Sequence, residues 1–277
     1  MKVMLIIFLS IIVFALVPSL VAFIIERIDE LRYRNARFLR KPTGVYERFV
    51  KRPLECFLSC GALIVLSPLF LYLIIAGAIK MKGNPFFTQE RPGKIDPRTG
   101  KEHIFKLIKF RSMTDEKDPE TGELLPDAKR LSKYGKALRA SSADELGELI
   151  NIIKGDMAVV GPRPQLVRDM VFMSDSQRKR HLVRQGLTGL AQCNGRNGLS
   201  WDNKLKYDVD YIEQGITFIG DMKIIFKTIA KVFKKEGITQ DNMATAADYG
   251  DYLISCGRVS KEEYNQKQKE AKKFVVG

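Results

Sequence analysis

CFLSCGALIVLSPLFLYLIIAGAI, residues 56–79, is a run without charge, interrupted at its centre by Ser67-Pro68. At a rise of about 1.5 Å per residue, a straight helix of this length could cross the roughly 30 Å hydrocarbon core of a bilayer. Proline removes a backbone donor and clashes with the preceding turn, and Ser67 could satisfy the groups it frees. Each half, 56–66 and 69–79, then extends only about 16 Å and reaches mid-bilayer. Basic residues flank both sides, Lys51 and Arg52 before and Lys80, Lys82, Arg91 and Lys94 after. A full span would place one set on the wrong side under the positive-inside rule. The segment therefore reads as a re-entrant membrane helix-break-helix entering and leaving by the cytoplasmic face, with a kinked spanning helix as the alternative. Cys56 and Cys60, one turn apart, read as small packing residues.

Upstream, residues 3–25 are also free of charge, and the stretch Ile24-Ile25-Glu26-Arg27 offers no small-residue cleavage site. The segment predicts a retained N-terminal transmembrane helix. Only Lys2 precedes it, whereas residues 26–53 carry nine Lys and Arg against four acids. This bias places the N-terminus outside and the following chain in the cytoplasm. Over the 277 residues, 45% are hydrophobic and 28% charged, which excludes disordered and collagen-like classes. The net charge of +14 favours anionic partners. Nucleic acid is not expected among them, because Trp201 stands alone and the tyrosines form no stacking ladder. Four cysteines and two histidines, His103 and His181, form no metal-ligand pattern.

Beyond residue 80 the composition is that of a soluble domain, with turn signals at Asn84-Pro85 and Arg91-Pro92-Gly93. FKLIKF, 105–110, predicts a short strand, and 114–127 an acidic loop. Ser142-Ala143-Asp144-Glu145 precedes apolar residues at helical spacing, which predicts a capping box and a helix ending near Gly155. Carboxylates at a helix N-terminus lie where phosphate also binds. Asp144 is ionised at neutral pH and could attack phosphorus without a histidine base, giving an acyl-phosphate. Glu145 would face a Mg2+ bridging phosphate oxygens. Gly161-Pro162-Arg163-Pro164 stiffens a turn around one arginine, and 184–190 and 194–198 are Gly-rich stretches that taken singly read as surface turns. Apolar residues at three- and four-residue spacing over 219–236, interleaved with lysines, predict an amphipathic helix, either interfacial or packed on the catalytic core. Residues 257–277 read as a solvated helix or as disordered.

In order, Lys51-Arg52, Ser67-Pro68, FTQERPGK (87–94), FKLIKFRSM (105–113), GELLPDAKRLSKYGKALRASSADEL (122–146), NIIKGDMAVVGPRP (151–164) and VRQGLTGLAQCNGRN (183–197) resemble the small monotopic polyprenyl-phosphate phosphoglycosyltransferases of the bacterial sugar transferase family. The resemblance spans about residues 48–245. It implies an α+β, predominantly helical fold with interfacial amphipathic helices and a compact catalytic domain at the bacterial inner membrane. It also implies Mg2+-dependent transfer of a phosphosugar from a UDP-sugar to polyprenyl phosphate, with release of UMP. Asp144 would be the nucleophile and Glu145 its partner, both near the metal. Arg139 would brace the site and Arg163 contact donor phosphate, with Lys109, Arg111, Arg184, Arg196 and Asp208 as further substrate-binding candidates. Membrane lipids are implied partners, and a homo-oligomer and downstream glycosyltransferases are left open. The family's common Leu-Asp-Glu-Leu-Pro-Gln is here Ala143-Asp144-Glu145-Leu146-Gly147-Glu148, and Gln185 replaces a common proline. The expected organisation is a transmembrane anchor (1–28), a basic linker (29–53), the re-entrant hairpin (54–80), the catalytic domain (81–245) and a charged tail (246–277). A non-catalytic membrane scaffold or anionic-lipid or nucleic-acid binder is the alternative function.

Overall fold

The computed structural model describes residues 2–195, 198–233 and 248–275, with side chains for 12–127, 129–195, 198–231 and 248–274. Helix α1 (Lys2–Arg32) comes first. A wider helical turn at Tyr46–Val50 leads into α2 (Lys51–Val65), and α3 (Ser67–Lys80) follows. Ala15 and Ala22 of α1 pack with Cys56 and Cys60 of α2 in one buried cluster, where small side chains let the helices approach closely.

Helices α2 and α3 meet at a 66° bend and together are long and apolar enough for a membrane span. No single helix among the described residues meets that condition. The expected N-terminal span is helical, as α1, but the side chains of residues 2–11 lie outside the description. At the bend, Leu66 adopts φ −88° and ψ 6°, and Pro68 falls in the first turn of α3, where a missing N–H costs nothing. Ser67 does not repair the break as expected; among the described residues it makes no side-chain hydrogen bond. The backbone suffices, because Leu66 N–H reaches the Ala62 carbonyl at 2.8 Å and Phe70 N–H the Leu66 carbonyl at 2.9 Å.

The mixed helix-and-strand body begins with an antiparallel hairpin, β1 (Phe86–Ile95) and β2 (Glu102–Phe110). The expected strand at 105–110 is the second half of β2. Arg91-Pro92-Gly93 lies within β1 rather than in a turn, and the register shifts between Pro92 and Ile95, where proline cannot donate to the ladder. Next come α4 (Lys133–Ser141), α5 (Glu148–Lys154) and β3 (Met157–Val160). Phe70 and Leu73 of α3 pack with Phe105, Leu107, Phe110, Leu138, Leu149, Ile152 and Met157, so the bent pair shares one core with the hairpin, α4, α5 and β3.

Strand β4 (Gln185–Thr188) pairs in parallel with β3, Ala158 facing Gly186. The 184–190 stretch is thus a largely buried strand and its ends, not a surface turn. Gly161 N–H donates to the Thr188 carbonyl at 2.9 Å and Gly186 N–H to the Pro162 carbonyl at 2.8 Å. A Cβ on Gly186 would sit 2.1 Å from Gly161 N, so backbone contact alone requires glycine there.

Helices α6 (Trp201–Glu213), α7 (Phe218–Phe233), α8 (Tyr249–Ser255) and α9 (Lys261–Val275) follow. Trp201, Leu205, Met170, Tyr249, Leu253 and Ala271 share a second core cluster. The segment read as solvated is therefore a helix with a buried edge, and Lys267 Nζ donates to the Val171 carbonyl at 2.9 Å. Helix α7 buries Asp221 and Ile224 while leaving Phe218, Ile219, Phe226 and Ile229 exposed. The side chains of Val232 and Phe233 and all of Lys234 and Lys235, part of the same amphipathic pattern, lie outside the described residues.

A buried ionic network ties these layers. Lys51 Nζ lies 2.8 Å from Glu55 Oε1, 2.5 Å from Asp221 Oδ2 and 3.0 Å from the Val160 carbonyl. Tyr46 and Tyr211 donate to the two oxygens of Asp221 at 2.9 and 2.8 Å. Glu55 Oε1 also accepts from Val159 and Val160 N–H.

Candidate active site

Asp144 and Glu145 sit on a tight 3-10 turn, Ala143–Gly147, between α4 and α5. The expected capping box is absent. Ser142 closes α4 in the left-handed region, φ 56° and ψ 19°, and makes no capping bond to the turn. Ser142 lacks the extended backbone typical of an N-cap, and the α-helix proper begins at Glu148, after the 3-10 turn. It ends, as expected, at Gly155. Gly147 explains the tight turn: a Cβ there would lie 2.7 Å from the Ile108 carbonyl, and glycine lets the turn press onto β2. With about three residues per turn, Asp144 and Glu145 point about 120° apart, while Glu145 and Glu148 share a face.

Asn151 clamps α5 to β2. Its Oδ1 accepts from Ile108 N–H at 2.9 Å, and its Nδ2 donates to the Lys106 carbonyl at 2.8 Å and to Asp156 Oδ2 at 3.1 Å. Lys109 is thereby held beside the turn, with Nζ 3.1 Å from Glu145 Oε1 and 3.0 Å from Glu148 Oε1. Arg163 Nη2 reaches Glu145 Oε1 at 2.7 Å.

These contacts divide the carboxylates electrostatically. Burial acts upward on Glu145, but Lys109 and Arg163 overcome it and hold the group well below the ordinary carboxylate range. Asp144 moves the other way, raised by burial and by the Glu145 charge despite Lys109, Arg139 and Arg163. Burial pushes Glu148 up to about 7, with Lys109 opposing and Glu145 adding to the rise. Asp144 is thus the more basic member of the adjacent pair, and Glu145 the fixed anion.

Of the sequence-derived candidates, the structure brings Asp144, Glu145, Lys109 and Arg163 together. Arg139 donates from Nε to Ser112 Oγ at 3.1 Å, and its charge reaches Asp144. Arg111 instead pairs with Asp115 of the acidic loop. Arg184 turns away to the Gly155 carbonyl, 2.8 Å, and Glu26 of α1, 3.0 Å. Asp208 is a buried partner of Arg180, 2.7 Å, and Arg180 also donates to the Arg163 carbonyl, so Asp208 supports the arginine turn from behind. Arg196 lies outside the described residues.

Glu148, Arg91 and Arg180 were missed. Glu148 looked like an ordinary first-turn acid, although its three-residue spacing from Glu145 was visible. Arg91 was hidden in a turn signal; it donates to the Pro164 carbonyl at 3.2 Å, and burial together with Arg163 lowers its pKa to about 10. Arg180 carried no local signal. His181 is fully buried with Nδ1 3.2 Å from the Gly93 carbonyl, and burial keeps it well below its usual pKa. It is a neutral structural residue.

Among the described residues, no three His, Cys, Asp or Glu side chains converge on a ready-made metal cage. Mg2+ commonly takes one or two carboxylates and completes its shell with water and substrate phosphate. Asp144 and Glu145 fit that limited requirement, since Lys109 and Arg163 both contact Oε1 of Glu145 and leave Oε2 to other partners.

An apolar bent helix pair is thus set into the core of a domain that presents acids among cations. The bacterial sugar transferase pattern matches residues 46–235. The sugar transferase EpsL of Bacillus subtilis is 42% identical over 197 residues, covering 71% of this chain and 94% of the relative. The exopolysaccharide production protein ExoY of Rhizobium meliloti is 35% identical over 220 residues, 72% of this chain and 94% of its own. A UDP-glucose:undecaprenyl-phosphate glucose-1-phosphate transferase of Klebsiella pneumoniae is 37% identical over 192 residues, 66% of this chain and 40% of that longer protein. The chain belongs to the bacterial sugar transferase family and is a phosphoglycosyltransferase.

Proposed function

We propose that the protein transfers a phosphosugar from a UDP-sugar to polyprenyl phosphate in two steps at Asp144. The observation that carries this reading is the geometry of one tight turn, where Lys109 at 3.1 Å and Arg163 at 2.7 Å engage Glu145 while the adjacent Asp144 makes no ion pair among the described residues. In the first step Asp144 attacks the sugar-linked phosphorus, an acyl-phosphate bond forms, the anhydride bond breaks and UMP leaves. In the second, an oxygen of polyprenyl phosphate attacks the same phosphorus, the acyl-phosphate bond breaks and the carboxylate is restored. Both substrates carry phosphate to one turn, so successive use of one site is simpler than joint occupancy. Arg163 offsets charge on the phosphates, Lys109 keeps Glu145 in place, and Arg139 steadies Asp144. When bound, Mg2+ would be held by Asp144 and Glu145 and would neutralise phosphate oxygens.

The bent pair is read as a re-entrant hairpin at the bacterial inner membrane, with the catalytic body on the cytoplasmic face and α1 as an N-terminal transmembrane helix. Exposed Leu71, Tyr72, Ile75 and Ile79 on α3 and Phe226 on α7 supply apolar surface for this placement. Incubation with a sugar-radiolabelled UDP-sugar alone should label the protein and release UMP, and polyprenyl phosphate should chase the label into lipid. Absence of a quenchable adduct together with intersecting double-reciprocal plots would favour direct transfer in a ternary complex.

A further inference from the structure

A cavity of about 900 Å3 lies away from the carboxylates, between the last turns of α1, the segment after it, the β1–β2 turn and Arg184. His103 on its wall is six residues along β2 from Lys109, about 20 Å at 3.3 Å per residue. Eight Lys and Arg line it against four acids. Several of these charges are spent on one another: Arg98 pairs with Asp96, Arg184 with Glu26, and Arg27 and Arg48 with Glu30. Among the described residues, Arg34, Lys41 and Lys94 have no carboxylate within ion-pair distance. Lys94 is the least exposed of these three; burial first and the Arg184 charge second push its ammonium below the ordinary range.

A cavity of this size suits a nucleotide-sized ligand or a lipid headgroup. Uncompensated cations around a concave wall select an anion with several acceptor oxygens, and guanidinium and ammonium groups together suit phosphate. We infer that this cavity binds a phosphate-bearing anion through Lys94 and the more exposed Arg34 and Lys41. Either a phospholipid headgroup or a soluble phosphate has the required chemistry. The inference stands apart from the transfer reaction, since none of the three cations contacts the Asp144 turn.

The test follows acetylation of Lys94 by acetic anhydride, read by peptide mass spectrometry on the full chain in nanodiscs. Wild-type protein is compared in phosphatidylcholine, in phosphatidylcholine with phosphatidylglycerol, and in phosphatidylcholine with added pyrophosphate. Slowing of Lys94 acetylation by several-fold with phosphatidylglycerol identifies a lipid headgroup, and slowing only with pyrophosphate a soluble phosphate. Arg34→Ala with Lys41→Ala should weaken protection about tenfold, as expected for lost charge-assisted contacts, while Arg34→Lys with Lys41→Arg should retain it. Unprotected Lys94 under both anions, or protection unchanged in the double alanine variant, overturns the inference.

Discussion

Arg52 Nη1 donates to the Ile152 carbonyl at 2.6 Å, and its Nη2 reaches the Ile153 carbonyl at 3.0 Å. The last carbonyls of a helix lack intrahelical partners and carry its partial negative charge, so one guanidinium from α2 answers both needs at the end of α5. Because α5 starts at Glu148, the base of the bent pair and the candidate active site are separated by only two helical turns.

Replacing that fork should therefore affect both ends. Arg52→Ala should lower stability by about 1–3 kcal/mol and also slow UMP release. Arg52→Lys should recover only part of either, since an ammonium lacks the planar fork. Denaturant midpoints and initial rates on both variants check this, and full recovery by lysine would show that charge alone matters.

Asp144→Asn keeps shape but removes the charged nucleophile, and should abolish both turnover and the radiolabelled adduct while near-UV circular dichroism stays native. Glu145→Gln should leave a slow enzyme with an altered Mg2+ titration, since Lys109 and Arg163 lose their shared partner. Near-native UMP release from purified Asp144→Asn would remove Asp144 from the mechanism.

Glu148 gives a pH signature. Its folded pKa of about 7 exceeds the unfolded value of 4.5, so the folded state holds the extra proton between them. Stability should consequently fall as pH rises from about 4.5 through 7. Glu148→Gln should flatten that slope and stabilise the protein at pH 8 by on the order of 2 kcal/mol. Unfolding midpoints of both proteins between pH 5 and 8 provide the measurement, and parallel curves would reject the assignment.

The turn itself offers a local test. Ser142 occupies a left-handed backbone that costs a non-glycine residue about 1 kcal/mol, so Ser142→Gly should be neutral or stabilising. Gly147→Ala should instead lift the turn from β2 and reduce turnover by at least tenfold. Rates and midpoints separate the two, and a fully active Gly147→Ala enzyme would show that the turn tolerates displacement.

Topology is accessible through single cysteines near Gly44 and Lys82 in a background lacking the four native cysteines. Both should react with an impermeant thiol reagent only from the cytoplasmic side. Labelling from opposite sides would establish a true span.

The sequence made the helix break legible because proline acts locally, and it exposed the Asp144-Glu145 pair because the surrounding motifs are contiguous. It misjudged the 142–147 backbone, where contact between Gly147 and Ile108 outweighs a good capping pattern. Gly186 looked like a loop residue because its partner, Gly161, is 25 positions away. The reassignment of Asp208 has the same origin: a buried acid and its arginine, Arg180, are brought together only by tertiary packing. The charged faces of α9 mask the few side chains on which it docks, Tyr264, Ala271 and Phe274.

Lys51 has one further consequence. Its ammonium is the countercharge for Glu55 on its own helix and for Asp221 on α7. Without it, two buried carboxylates would be left with no cation, a loss of about 3–5 kcal/mol for a broken buried pair. Opening a gap between the bent pair and α7 would break the Lys51–Asp221 ion pair and cost about that much. Lys51 thus ties the two helices into one unit, so that a shift of the bent pair would be passed on to α7.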